Sequence, residues 1–276
     1  MAGPTDGVDY PSDLDLTGRG FVVLGAGGGG MGSETSLALS QAGAQLLCVD
    51  FRTDQAEEIA ALTGGTPHVA DIMSRSAMEA VFRRAEDLFG AGFAGVVDIV
   101  GMCQMGPLAS FGDEAIDQQF QTVFRHALLT VQIAGPMLAR LGGGSIVFIG
   151  SLAGVYALEN QGLYAVAKAA QHHLIKQACY EFGPSGVRFN GIAPGFVRTP
   201  RLERTVSPMQ WATIAQDIPL RRVGDPSDIA RVALFLCSGM ACYVTGNIML
   251  LDGGRSSFIG VPTFPQNSYG DTGPAR

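Results

Sequence analysis

The sequence predicts a three-layer α/β fold, a doubly wound parallel sheet of about seven strands with helices on both faces. Short apolar runs alternate with longer helical patterns from residue 20 to about 251, as repeated βα units require. Those runs lack a clean in-and-out alternation, as strands buried on both faces should. A glycine-rich turn joins the first strand to the first helix, in a chain with 38 glycines among 276 residues, about twice the usual share.

The elements follow in order. FVVL at 21–24 is the first strand, and a helix follows over 32–42. QLLCV at 45–49 precedes a helical pattern over 54–62, and PHVA at 67–70 precedes one over 75–89. VVDIV at 96–100 leads to a long helical stretch over 114–141, and SIVFI at 145–149 to another over 161–182. VRFNGI at 187–192 is followed by an irregular, partly helical excursion over 200–219 that holds Met209 and Trp211. A helix over 226–237 and IMLL at 248–251 complete the pattern. No composition break divides the chain, so 16–254 reads as a single catalytic domain, with a flexible segment over 1–15 and a Gly-, Pro-, Ser- and Asn-containing extension over 255–276.

Composition excludes several classes of function. Lys and Arg number 18 against 25 Asp and Glu, a net charge of −7, and no stretch concentrates the cations, so neither nucleic acid nor an anionic membrane is an expected partner. Apolar residues are 47% and charged ones 16%, the balance of a folded chain. Five cysteines without C-x-x-C spacing read as reduced thiols, and no secretion signal or 18-residue apolar run is present, so the expected compartment is the cytoplasm.

The first turn, LGAGGGGMG, runs from Gly25 through Gly27, Gly28, Gly29, Gly30, Met31 and Gly32 into a helix that begins with Ser33. Bare backbone N–H groups at a helix N-terminus suit a pyrophosphate, which any Cβ would hold off. Asp50 closes the second strand 18 residues beyond Gly32, where a carboxylate meets the hydroxyls of an adenosine ribose and repels a 2′-phosphate. NAD is therefore expected rather than NADP, with Arg52 as the group that could offset the repulsion. Ser151 follows the fifth strand, Tyr164 stands 13 residues on, and Lys168 shares a helix face with it at i+4. A cation beside a phenol favours the phenolate and brings it into range for acid–base work.

With these residues on the page, the chain resembles the short-chain dehydrogenase/reductase family from about Leu16 to Gly254. The matching pieces are the glycine turn, Asp50, Asp71, Ser151, YAVAK, RFNGIAPGFVRTP and the block from IPLRRVGDPSDIARVALFL to the final DGG. The resemblance implies a Rossmann-like fold and makes Tyr164 the proton donor or acceptor. It makes Ser151 the holder of the substrate oxygen, and Lys168 a ligand of the nicotinamide ribose that lowers the tyrosine's pKa. It implies cofactor contacts at Gly25, Gly29, Gly30, Met31, Gly32, Asp50, Asp71, Ile72 and Gly101, with Pro194, Gly195, Val197 and Thr199 at the nicotinamide end. It implies a homodimer or homotetramer, with the helix over 161–182 as a candidate interface. Asp71 and Thr199 read equally well as turn or cap residues.

Three departures stand out. The glycine turn is one residue longer than the family's G-x-x-x-G-x-G, with Leu24 in place of the usual threonine. Gly101, Met102, Cys103 and Gln104 fall where the family has N-N-A-G. Val123, or Phe124 after a slip of one, falls where the family has an asparagine whose carbonyl, aided by a local helix distortion, holds a water that links the lysine to solvent.

Met102, Met105, Phe196, Met209 and Trp211 read as the rim of an apolar substrate pocket, or as ordinary packing. No metal site is expected, and the pair His172–His173 reads as surface or subunit contact. The expected function is NAD(H)-dependent interconversion of a secondary alcohol and a ketone on a fairly apolar small molecule, such as a cyclic, steroid-like or aryl alcohol. The alternative is a nucleotide-binding scaffold or regulator with little turnover. A dehydratase or epimerase ranks last.

Overall fold

The computed structural model describes residues 9–257, so most of the expected C-terminal extension and part of the N-terminal segment lie outside the described residues. The chain runs β1 (Gly20–Leu24), α1 (Met31–Gln41), β2 (Gln45–Asp50), α2 (Thr53–Thr63), β3 (Thr66–Val69), α3 (Arg75–Phe89) and β4 (Phe93–Asp98). It continues with α4 (Asp113–Phe120), α5 (His126–Arg140), β5 (Gly144–Ile149), α6 (Gly162–Phe182) and β6 (Val187–Pro194). Two short helices, α7 (Pro200–Glu203) and α8 (Pro208–Gln216), precede α9 (Pro226–Cys237) and β7 (Ile248–Leu251).

The seven strands form one sheet in the order β3-β2-β1-β4-β5-β6-β7. Every adjacent pair is parallel. The expected doubly wound fold is therefore present. β1 and β4 sit side by side although two helix–strand units separate them in sequence, and that reversal of winding opens a crevice beyond their carboxyl ends. β1 is buried along its whole length, which explains its unbroken apolar run. Pro67 is tolerated because β3 is an edge strand and lacks a second ladder to serve.

Two apolar clusters, one on each face, hold the layers together. Phe82, Phe93, Phe148 and Phe189 anchor the first, under α3, α5 and α6. Phe21, Leu39, Val147 and Ile229 anchor the second, under α1 and α9. Asp225 and Asp228 form a capping box around Pro226, which starts α9 where a missing N–H costs nothing.

Three expectations are corrected. The single helix expected over 114–141 is two helices joined by a π turn at Gln121–Arg125. One wider turn of this kind shifts the helix register, an effect that apolar periodicity does not reveal. The fourth strand lies about two to three residues earlier than 96–100 and ends at Asp98, so the residues leaving it are Asp98, Ile99, Val100 and Gly101 rather than 101–104. The excursion over 200–219 is largely helical, since Thr199 and Ser207 each cap a short helix that begins with proline.

Candidate active site

β1 delivers the chain into the glycine turn at the crevice. Gly25, Gly28 and Gly29 take φ of +77°, +84° and +67°, which residues with a Cβ adopt at a cost. Gly32 packs against the turn so closely that a Cβ would lie 2.0 Å from Gly25 O. Gly30 starts α1 without a side-chain cap, so bare backbone N–H groups of the first helical turn face the crevice. Thr199 and Pro200 stand against Gly29 and Gly30 from the opposite side. We expect Gly32→Ala to destabilise the protein by roughly 1–3 kcal/mol, as overpacking against backbone does. Thermal unfolding checks this, and an unchanged melting temperature would contradict the close packing of turn and helix.

Asp50 ends β2 beside this turn, accepting from the N–H groups of Gly27 and Arg52, both at 3.1 Å. The Arg52 guanidinium is turned to Asp54, with Nη2 2.6 Å from Oδ2, instead of toward Asp50. Asp71 is exposed, and its Oδ1 accepts from Met73 N at 3.1 Å in a turn, while Ile72 is buried behind it. Thr199 uses its hydroxyl as the cap of α7, so the cap reading describes it in this structure. Pro194 closes β6, Gly195 packs on Asp252, and Val197 pairs with Gly224 to lead the chain back over the crevice.

Ser151, Tyr164 and Lys168 converge at the carboxyl edge of β5. Ser151 Oγ accepts from Ala153 N at 3.1 Å, which fixes the hydroxyl at the start of a tight turn. One helical turn of α6 separates Tyr164 from Lys168, and the ammonium lies 5.9 Å from the phenol ring's centre. Lys168 is fully enclosed and donates to Ile149 O at 2.7 Å and to Gln171 Oε1 at 2.9 Å. Burial lowers its pKa to about 8, with the Asp98 carboxylate acting against that fall. Burial raises the Tyr164 phenol to about 12, and a hydrogen bond with Ser151 only partly offsets it. Burial is the largest influence on the phenol, while the ammonium donates to Ile149 and Gln171. Gly101 lies against the lysine, where a Cβ would stand 3.0 Å from Nζ.

The rim is less apolar than expected. Met102 is half-exposed and receives Arg201 Nη1 at its sulfur, so α7 reaches across to the loop after β4. Burial raises both Cys103 and Tyr164, and the Arg201 charge acts against that rise at each. Met105 and Met209 are exposed, Phe196 packs under Arg255, and Trp211 stacks on Arg198 with 5.4 Å to its ring. Trp211 also lines a separate cavity of about 810 Å³ with Glu203, Val206 and Asp225, and Ser151, Tyr164 and Lys168 are not among its walls.

Five buried polar residues around the site escaped the sequence reading or were misplaced by it. Asp98 and His126 are both fully buried, with Oδ1 and Nε2 3.2 Å apart, and Thr130 donates to the other carboxylate oxygen at 3.4 Å. Gln171 holds the ammonium, and His172 lies inside beside Ser151, correcting the surface reading of the pair; only His173 is exposed. The spacing Tyr164, Lys168, His172 at i, i+4, i+8 was the available signal for the last. Val123, rather than Phe124, is the buried residue of the π turn, and it packs as a core side chain. Among the described residues no three His, Cys, Asp or Glu side chains gather as a metal site.

Comparison with known proteins agrees with this geometry. Residues 25–256 match the family model described as enoyl-(acyl carrier protein) reductase. The chain is 32% identical to 7alpha-hydroxysteroid dehydrogenase of Escherichia coli strain K12, covering 88% of this chain and 96% of that protein. It is 33% identical to galactitol 2-dehydrogenase (L-tagatose-forming) of Cereibacter sphaeroides, covering 90% and 98%. A solved 7alpha-hydroxysteroid dehydrogenase, complexed with NADH and 7-oxo glycochenodeoxycholic acid, superposes with a TM-score of 0.83 at 30% identity over 90% of this chain and 98% of that one.

Proposed function

The chain belongs to the short-chain dehydrogenase/reductase family, and from that premise we propose that it is an NAD(H)-dependent oxidoreductase interconverting a secondary alcohol and a ketone on a fairly apolar small molecule. One observation carries the reading: Ser151, Tyr164 and Lys168 meet at the same sheet edge as the glycine turn.

The residues fit a dinucleotide. Gly30, Met31 and Gly32 present helix-start N–H groups to a pyrophosphate, and Gly25 and Gly29 keep the turn free of Cβ atoms. Asp50 suits the adenosine ribose, Asp71 and Ile72 the adenine, and Gly101 the far ribose beside Lys168. Pro194, Gly195, Val197 and Thr199 suit the nicotinamide end. The bound NAD supplies the hydride acceptor or donor. The chain's own part is proton handling and orientation. Ser151 directs its hydroxyl hydrogen to the substrate oxygen, since Ala153 already occupies it as an acceptor. Tyr164 takes the alcohol proton at its phenol oxygen in oxidation and returns it in reduction, and Lys168 sets the local charge. Engagement of Arg52 by Asp54 supports NAD over NADP.

Asp50→Ala is expected to narrow a preference for NAD over NADP by about tenfold, the effect of removing roughly 1.4 kcal/mol of discrimination. Comparing kcat/KM with the two cofactors checks it, and an unchanged ratio would assign the preference elsewhere. Val123 in the π turn favours a second reading, a nucleotide-binding scaffold with little turnover. Following formation of reduced nicotinamide across cyclic, aromatic and steroid secondary alcohols separates the two: turnover supports the enzyme, whereas NADH binding without turnover supports the scaffold.

A homodimer or homotetramer is our reading of the assembly, supported by Val166 and Tyr180, which leave large apolar surfaces of α6 exposed. Among the described residues no helix is long and apolar enough to cross a membrane. The cytoplasm is the compartment we assign.

A further inference from the structure

We propose that His172 is a positioning residue for Ser151, packed against the turn that carries the serine hydroxyl and accepting from its N–H. The proposal rests on the dehydrogenase reading above, in which Ser151 holds the substrate oxygen.

Tyr164, Lys168 and His172 lie four residues apart on α6 and share one face, so the histidine is the third side chain of the stripe that bears the proton-handling pair. Its ring is buried at 6% exposure, an unusual place for an imidazole without work to do. Bare backbone surrounds it. A Cβ at Gly150 would lie 2.2 Å from Nε2, and one at Gly154 would lie 2.6 Å from Cε1, so the imidazole fills the room left by glycines on both sides of the serine.

The two nitrogens face opposite ends of one short turn, Leu152–Gly154, whose first cap is Ser151. Nε2 accepts from the Ser151 N–H at 3.5 Å, and Nδ1 lies 2.8 Å from where a Cβ on Gly154 would stand. Accepting at Nε2 requires neutral imidazole. Burial and the neighbouring Lys168 ammonium supply that condition, lowering the histidine to about 4. Ser151 Oγ then closes the turn from within by accepting from Ala153 N. Leucine of similar bulk would fill the space without supplying the polar contact, which would leave the Ser151 N–H unpaired and the turn free to shift. A displacement of about 1 Å at a catalytic hydroxyl costs up to about 100-fold in rate.

The test is a double-mutant cycle on the full chain with an alcohol that the unmodified protein oxidises. We expect His172→Leu to lower kcat about 10- to 100-fold, with NADH affinity unchanged within about twofold. His172→Gln, whose amide reaches toward Ser151 N, should recover most of that loss. In a Ser151→Ala background the same His172→Leu change should cost nothing further, because residues acting through one another are not additive. Additive losses, or full kcat in folded His172→Leu, would overturn the proposal. Should His172→Leu fail to fold, His172→Asn against His172→Gln decides: the shorter amide should lose kcat and the longer retain it, and equal rates would overturn the role. Absence of turnover by the unmodified protein across the alcohol panel overturns the dehydrogenase reading itself, and the positioning role with it.

Discussion

Tyr164→Phe is expected to lower kcat/KM by about a thousandfold while leaving NADH affinity within about twofold of the unmodified protein. In the proposed reading the phenol oxygen exchanges a proton with the substrate, and removing a positioned acid–base group costs about 10²–10⁴ in rate. Phenylalanine keeps the ring, so packing on α6 and the neighbouring Lys168, 5.9 Å from its centre, is preserved. The phenol's rise to about 12 by burial favours its protonated form, the form that ketone reduction uses. Oxidation needs added positive charge nearby to favour the phenolate. Steady-state rates in both directions, beside fluorescence titration of NADH, check the expectation. Residual activity above a tenth would move the proton to another group.

Asp98→Ala is expected to destabilise the fold more than any surface change. Its carboxylate is fully buried with His126 3.2 Å away, accepts from the Val100 N–H at 3.1 Å and receives Thr130. Removing it leaves the Val100 N–H without its acceptor and opens a small cavity in the core, a loss of about 2–4 kcal/mol. For a chain of this size each kcal/mol moves the melting temperature by about 2–4 °C, so a fall of roughly 4–16 °C should appear in a thermal scan. The same change removes the one carboxylate that opposes the lowering of Lys168. A fall of less than about 2 °C would mean that the pair contributes nothing to the fold.

Much of this architecture was legible because it rests on local periodicity. The five inner strands announce themselves as VILF-rich runs, and the Gly25–Gly32 turn, Asp50 and the Tyr164–Lys168 pair stand at spacings that a strand–turn–helix or one helical turn enforces. The less legible features depend on distant neighbours. The π turn at Gln121–Arg125 sits within an unbroken helical pattern, and one extra residue per turn changes no periodicity that a short window resolves. Trp211 stood near expected cleft residues in sequence, yet it stacks on Arg198 and lines a cavity whose walls do not include the serine.

By itself the sequence determined the α/β class, the order of the strands along the chain, the glycine-rich turn and the face shared by Tyr164 and Lys168. Those properties follow from bonds and spacings within about twenty residues. Only the tertiary structure decided which way charges point: Arg52 to Asp54, Lys168 to Ile149 and Gln171, Asp98 to His126, and His172 into the serine turn. The physical reason is burial. The sign and size of a pKa shift, and the partner a polar group takes, depend on what the other layers of the sheet remove from water, and no local pattern encodes that.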